Sequence, residues 1–160
     1  MISAFNEESG SNIALKLVAY LMFIKQRPRI DEDAGWQVMP DLIARDGAGS
    51  ISLWIDCGSV SVKKADLIAT KVRDSIEFYV FRRTQREMDQ FYRQIRDKVK
   101  HFNNVNCISF DEEFIDNLGQ SLDRTNNLES YINDEMLTIT VNNSFGKYEG
   151  YSAIHRIVGE

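Results

Sequence analysis

The spacing of apolar residues changes along the chain, and each spacing predicts a different element. Residues 11–26 carry apolar side chains at nearly every helical position and stop before Pro28, which predicts a mostly buried helix. Residues 41–45 and 51–57 form two strand-like runs on either side of the turn sequence DGAGS. The first third of the chain therefore predicts a helix followed by a β-hairpin.

Capping residues and runs of branched or aromatic residues define the remaining elements. Helices are predicted to begin at Ser61, at the capping-box pair Thr84 and Glu87, and at Asp111. Their expected ends are Arg73, about Lys100 and about Gln120. Strands are predicted at 75–81 and 105–110 and in a second hairpin, 128–132 and 136–141. The order predicts an α/β fold with a mixed central β-sheet flanked by helices, while the residues after Asn142 support no prediction.

The bulk composition indicates a globular protein. With 160 residues, 43% of them apolar, and no internal repeat or linker, we expect a single domain over residues 1–160. The longest apolar stretch, 13–24, is interrupted by Lys16 and is too short to span a bilayer, and the first residues lack the layout of a signal peptide. Cys57 and Cys107 do not make a disulfide framework. We therefore expect buried thiols, a cytoplasmic location and no membrane partner.

The charge distribution narrows the class of partner. A net charge of −5 argues against a protein that binds nucleic acid with its whole surface. Residues 63–101 nevertheless hold 11 of the 19 lysines and arginines against 6 acidic residues, so this segment carries +5 and the remainder −10. Such a segment either faces an anionic ligand or forms the solvated faces of two helices.

The first hairpin carries an aspartate at the far end of each strand. If residues whose numbers sum to 97 pair, Asp41 lies opposite Asp56 on one face, with Cβ atoms about 4.5–5.5 Å apart. Two carboxylates at that distance repel each other unless a cation or a shared proton compensates, whereas a slip of one residue would place them on opposite faces. Either both aspartates merely end their strands, or together they form a hard-metal site for Mg²⁺ or Mn²⁺.

Several short motifs give these aspartates a family context. The sequence PD at the start of one strand, with an acid near the end of the next, resembles the skeleton of the PD-(D/E)XK nuclease superfamily. The motifs ALKLVAYL, PDLIARD, SLWIDCG, VKKA and DRTNNLE are similar, in order and spacing, to those of YaeQ-like proteins. The resemblance runs from about Glu8 to Val141. It implies a PD-(D/E)XK nuclease-like fold, with a central mixed sheet and helices on both sides.

The resemblance also implies a site. Its metal ligands would be Glu8, Asp41 and Asp56, and its lysine would be Lys63 or Lys64. The chain departs from the superfamily pattern at Gly58, which stands where the superfamily lysine is expected, so that the role passes to the lysine pair. The family's second acid near the helix start is also absent, since Gly10 and Ser11 occupy that stretch.

Two functions follow from this reading. The first is a Mg²⁺- or Mn²⁺-dependent nuclease that acts on phosphodiesters of DNA or RNA, with a lysine stabilising charge on the phosphate. In that case Arg82, Arg83 and Arg86 would contact phosphates, and Tyr92 could stack on a base. The alternative is a catalytically inactive nuclease-fold module that binds nucleic acid or a protein partner. Metal binding at the hairpin distinguishes the nuclease, which requires it, from the inactive module, which does not.

Overall fold

The structure is a computed structural model that describes residues 9–72 and 75–158. Within these ranges the helices are α1 (Gly10–Met22), α2 (Val62–Lys71), α3 (Gln85–Lys98) and α4 (Phe114–Ser121), with short 3₁₀ turns at Ile24–Gln26 and Phe102–Asn104. The strands are β1 (Arg29–Ile30), β2 (Leu42–Arg45), β3 (Ile51–Cys57), β4 (Glu77–Phe81), β5 (Val105–Phe110), β6 (Asn127–Ile132), β7 (Met136–Asn143) and β8 (Gly146–Val158). In the described part of the chain no helix is both long and apolar enough to cross a membrane.

The strands form one mixed sheet, which confirms the predicted α/β architecture. Its eight strands are ordered β1-β2-β3-β4-β5-β8-β7-β6. The central strands β3, β4 and β5 run parallel, and every other neighbouring pair is antiparallel. Parallel neighbours need crossover connections, which α2 and α3 supply. The carboxyl ends of β3, β4 and β5 consequently meet at one edge of the sheet.

Helices cover the sheet on both faces, and each face has its own apolar core. The first cluster joins α1 and α4 to the sheet through residues such as Leu15, Leu118 and Ile55. The second cluster joins α2 and α3 to the opposite face of β3, β4 and β5 and includes Trp54 and Ile95. Both cysteines are buried and free, as expected. Side-chain alternation along β3 thus sends Ile55 to one core and Trp54 to the other.

The predicted helix starts are mostly confirmed. The Ser61 hydroxyl accepts the backbone N–H of Lys64 at 3.0 Å, and the Thr84 hydroxyl accepts that of Glu87 at 3.2 Å. The Glu87 side chain contacts Arg83, which precedes the cap. The expected end of α2 at Arg73 lies outside the described residues, and the last described helical residue there is Lys71.

Asp111 does not cap α4, and this prediction was wrong. The residue before α4 is Glu113, with a left-handed φ of 67°, and its side chain makes no capping hydrogen bond. Asp111 instead accepts the backbone N–H of Ala153 at 3.0 Å and lies 2.7 Å from His155 Nε2. Its carboxylate therefore ties the end of β5 to β8 rather than starting a helix.

The segment after Asn142 forms β8, which the sequence pattern does not predict. This strand pairs first with β7 and then with β5, so its environment changes along its length. Gly150 and Ser152 occupy buried positions where a simple alternation would place apolar residues. A Cβ atom at Gly150 would lie 3.0 Å from the Phe114 ring, which explains the missing side chain there.

Candidate functional site

The hairpin of β2 and β3 has the predicted register. Three of its four pairs, Leu42 with Ile55, Ile43 with Trp54, and Ala44 with Leu53, have numbers that sum to 97. The fourth pair, Arg45 with Ile51, follows a register shift between Ala44 and Arg45. The ladder ends at Leu42, because the backbone N–H of Asp41 donates to the Ile55 carbonyl at 3.0 Å, one residue out of this register. Asp41 and Asp56 are not a ladder pair, although Asp41 immediately precedes Leu42 and Asp56 immediately follows Ile55. The two aspartates therefore stand at the same end of the hairpin.

Asp56 is completely buried, at 0% exposure, and each of its carboxylate oxygens has a donor. Trp54 Nε1 donates to Oδ2 at 3.1 Å, and Lys64 Nζ donates to Oδ1 at 2.9 Å. Lys64 also donates to the Met39 carbonyl at 2.7 Å. Burial raises the pKa of Asp56, against the opposing charge of Lys64, and the neighbouring Asp41 raises it further.

Asp41 is more open, with 27% of its side chain exposed, and it has a different cation. Its Oδ2 accepts the backbone N–H of Cys57 at 2.7 Å, while its Oδ1 lies 3.6 Å from Lys16 Nζ. The same ammonium lies 3.2 Å from Asp31 Oδ1. Burial raises the pKa of Asp41, and the Cys57 hydrogen bond and the Lys16 charge oppose that shift. Each hairpin carboxylate thus has its own lysine.

A cavity of about 580 Å³ lies at this edge of the sheet and combines elements from both faces. The residues that line it are Ser9, Ser11, Asn12, Leu15, Asp41, Cys57, Gly58, Ser59, Lys64, Arg82, Arg83 and Glu87. The start of α1, the end of β3 and the loop after β4 therefore share one polar pocket with Asp41 and Lys64.

The two arginines of the pocket are held by neighbouring groups. Arg82 Nη1 donates to the Gly58 carbonyl at 3.0 Å, and its Nε lies 3.6 Å from Glu87 Oε2. Arg83 forms a close ion pair with Glu87 and donates to Asp116 Oδ1 at 2.9 Å. These contacts fix both guanidinium groups at the wall of the cavity.

The other residues expected at the site lie elsewhere. Lys63 is exposed and does not line the pocket, so of the lysine pair only Lys64 reaches the aspartates. Arg86 lines a second cavity of about 550 Å³ beside the first turns of α3. Tyr92 packs against the second core cluster. Glu8 lies outside the described residues.

The two aspartates provide only part of the ligand set of a divalent ion. Both aspartates supply the oxygen ligands that Mg²⁺ and Mn²⁺ prefer. Between residues 9 and 158, leaving out 73 and 74, no group of three or more His, Cys, Asp or Glu side chains is close enough to hold a metal. A metal at this pair would replace Lys64 beside Asp56 and would need a further ligand, a position for which Glu8 is the proposed residue.

The backbone explains why a glycine occupies the position of the expected lysine. Gly58 has a left-handed φ of 82°, and a Cβ atom there would lie 2.9 Å from Asn12 Oδ1. Its N–H donates to the Phe81 carbonyl at 2.9 Å. A side chain at this position is strained and must also displace the Asn12 side chain of α1, and the lysine beside Asp56 comes instead from α2 as Lys64.

We expect Gly58→Ala to lower the free energy of unfolding by roughly 1–2 kcal/mol, the cost of a left-handed non-glycine residue, because the Asn12 side chain can turn away from the added Cβ atom. Gly35→Ala is the matched control, since Gly35 has a similar φ of 78° and open space around it. Denaturant unfolding measures both. The two variants should lose similar amounts of stability, and a much larger loss at Gly58 than at Gly35 would mean that Asn12 cannot turn aside.

Sequence patterns miss two contributors to the site. Lys16 is 3% exposed on the buried face of α1, and a lone lysine within an apolar helical run is the signal that could have indicated a carboxylate partner. Trp54 stands two residues before Asp56 on the same face of β3, and its indole N–H needs a buried acceptor.

Comparison with known proteins identifies the fold. The family model described as YaeQ protein matches residues 5–148. No curated protein matches the chain. The crystal structure of YaeQ protein from Xanthomonas axonopodis pv. citri is 19% identical, with 94% of this chain and 82% of that chain covered and a TM-score of 0.71. YaeQ protein from Pseudomonas syringae is 15% identical, with coverages of 97% and 82% and a TM-score of 0.71.

At these identities the two structures show a common fold and nothing about activity. The family model, in contrast, covers nearly the whole chain, from the segment before α1 to the first residues of β8. The chain belongs to the YaeQ family.

Proposed function

We propose that the pocket beside Asp41 binds a phosphodiester of DNA or RNA, and that the protein is a PD-(D/E)XK-type nuclease dependent on Mg²⁺ or Mn²⁺. One observation carries this proposal. Asp41 lines a polar cavity, and the Lys64 ammonium, which lines the same cavity, lies 2.9 Å from the buried Asp56 near the end of the neighbouring strand. Two carboxylates and a lysine are the groups that metal-dependent phosphodiester hydrolysis requires.

The aspartates, the lysine and the arginine would each have a different role in this site. Asp41, whose carboxylate is partly exposed, and Asp56 would hold the ion together with Glu8, and the bound ion would supply Lewis-acid polarisation of the phosphodiester. Lys64 would stabilise negative charge on the phosphate. Arg82 would add positive charge at the wall of the cavity, although its Nε already lies 3.6 Å from Glu87 Oε2.

Binding without hydrolysis is the second candidate, and one observation favours it. Both oxygens of Asp56 are occupied by Trp54 and Lys64, and the carboxylate has no solvent access. In such a site the lysine takes the place of the metal, and the pocket recognises nucleic acid through its cationic groups alone.

Thermal melts and cleavage assays test the two candidates together. If the site is a nuclease, Mn²⁺ should raise the melting temperature of the natural protein, because it binds only the folded form. Labelled DNA or RNA should then be cut in Mn²⁺ but not in chelator. Asp41→Asn should abolish both effects, while Asp134→Asn, in the turn between β6 and β7, should preserve them.

The remaining outcomes are distinct. Nucleic acid binding that is insensitive to chelator, without cleavage, would favour the second candidate. No binding of either polymer and no response to Mn²⁺ would reject both.

A further inference from the structure

Residues 31–40 connect β1 to β2 without regular secondary structure, and we call this segment the strap. Its ends are attached to the two lysines of the site. Asp31 lies 3.2 Å from Lys16 Nζ at one end, and the Met39 carbonyl accepts from Lys64 Nζ at 2.7 Å near the other. The strap therefore contacts the cations that compensate both hairpin carboxylates.

The middle of the strap reaches Asp56 by a second route. Trp36 stacks on Trp54 with ring centroids 4.7 Å apart and planes inclined by 23°. Trp54 in turn donates its indole N–H to Asp56. Lys71 Nζ lies 5.0 Å from the centroid of the Trp36 ring, on the strap side of α2. Both donors of Asp56, an indole and an ammonium, are thus held by the strap.

The contacts of the strap account for the different solvent exposure of Asp41 and Asp56. Asp41 opens into the cavity, whereas Asp56, at the same end of the hairpin, has no exposure at all. A ligand that reaches Asp56 must first separate Lys64 from it, and Lys64 is also bonded to Met39. Access to Asp56 is therefore coupled to the position of the strap.

We propose that the strap is a gate for this site, and that the structure is its closed form. The proposal rests on the proposed function, which it deepens. On opening, Trp36 leaves Trp54 and the Met39 carbonyl leaves Lys64, so that Asp56 and Lys64 face the cavity together. The Asp31 end of the strap also has ion pairs of Asp31 with Lys16 and of Glu32 with Arg45, which opening leaves in place. The same end has a backbone hydrogen bond from Asp31 to Asp41. The part that moves is held by one aromatic stack, one cation–π contact, one hydrogen bond to Lys64, and the packing of Ala34, Trp36 and Val38 on the second core. Opening should therefore occur without global unfolding.

Hydrogen exchange tests the gate without any ligand. The chain has two tryptophans, so both indole N–H signals can be assigned by NMR with Trp36→Phe. The buried Trp54 indole proton should exchange faster than the slowest backbone amides of β3 and β4. Trp36→Ala should speed its exchange by at least about tenfold relative to those amides. The gate would be overturned if, in both the natural protein and Trp36→Ala, the Trp54 indole proton exchanged no faster than the slowest backbone amides.

A binding experiment tests the consequence, with Mn²⁺ alone as the probe and tryptophan fluorescence as the signal. Trp36→Ala should bind Mn²⁺ several-fold more tightly than the natural protein, because a larger fraction of the molecules is open. Ile95→Ala, which removes a buried side chain of α3 in the same core, should lower the melting temperature without changing the Mn²⁺ affinity. Equal or weaker Mn²⁺ affinity for Trp36→Ala would overturn the gate.

The two proposals fail in different ways. If no variant binds Mn²⁺, the metal-dependent function is lost, while the indole exchange rate still decides whether the strap opens. If Mn²⁺ binds but the Trp54 indole proton exchanges no faster than the slowest backbone amides, the metal-dependent function is supported and the gate is rejected.

Discussion

Lys64→Met will lower the free energy of unfolding by about 3–5 kcal/mol at neutral pH, since it leaves a buried carboxylate without its cation. Asp56 is 0% exposed, and after the substitution only the Trp54 indole would remain as its side-chain donor. Denaturant unfolding monitored by fluorescence or circular dichroism measures the loss. The effect is large because the Asp56 carboxylate has no solvent exposure of its own that would offset the missing ammonium.

The loss should depend on pH in a defined direction. Burial raises the pKa of Asp56 above its usual value of 3.8, with Lys64 acting against the shift, so the folded protein binds this proton more tightly than the unfolded chain. The contribution of Asp56 to stability is therefore greatest below 3.8 and falls as the pH rises through the raised pKa. Without Lys64 that pKa rises further, so the loss should shrink on acidification.

Two controls make this prediction specific. Lys63→Met changes the exposed neighbour of Lys64 and should alter the free energy of unfolding by less than about 0.5 kcal/mol. Adding Asp56→Asn to Lys64→Met should recover part of the stability at neutral pH, because the uncompensated charge is gone. Equal losses for the two lysine variants, or no recovery in the double variant, would mean that the ion pair does not compensate Asp56.

Gly119→Ala will destabilise the fold by roughly 1–3 kcal/mol, although alanine favours helices. A Cβ atom at Gly119 would lie 2.6 Å from the backbone carbonyl of Gly10 and 2.9 Å from the backbone nitrogen of Ser11. Backbone atoms cannot turn aside as a flexible side chain can, so α4 and α1 must separate. Since Ser11 lines the pocket and donates to Asp116, the separation also displaces one wall of the site.

Gly47→Ala is the matched control for this variant, because Gly47 has no atom within 4 Å of its Cβ position. We expect it to change the free energy of unfolding by less than about 0.5 kcal/mol. Comparable unfolding curves for the two alanine variants would show that the close approach of α1 and α4 is not required.

The hairpin was predictable because its determinants are local. Turn residues, alternation along two short runs and the position of PD together specify the register, and the structure pairs Leu42 with Ile55 as expected. The helix starts at Ser61 and Thr84 were predictable for the same reason, since a cap needs only residues within one turn.

Which cation compensates each of the two aspartates was not predictable from the local sequence pattern. The hairpin geometry predicts repulsion between Asp41 and Asp56, but the cations that offset it come from α1 and α2, on opposite faces of the sheet. Which lysine reaches which aspartate depends on how those helices pack. The same limit applies to Asp111, whose partners lie on β8, far along the chain.

The position of β8 has a consequence for how the molecule assembles. Among the strands of the described residues, β8 alone connects β1–β5 to the hairpin of β6 and β7 in the hydrogen-bond ladder. Until it docks, β5 and β7 each present an unpaired edge, and such edges recruit strands from other molecules. Because its pairing with β5 joins distant parts of the sequence, it carries a large loop-closure entropy and is expected to form late. A refolding chain is therefore most prone to aggregation before β8 pairs with β5 and β7.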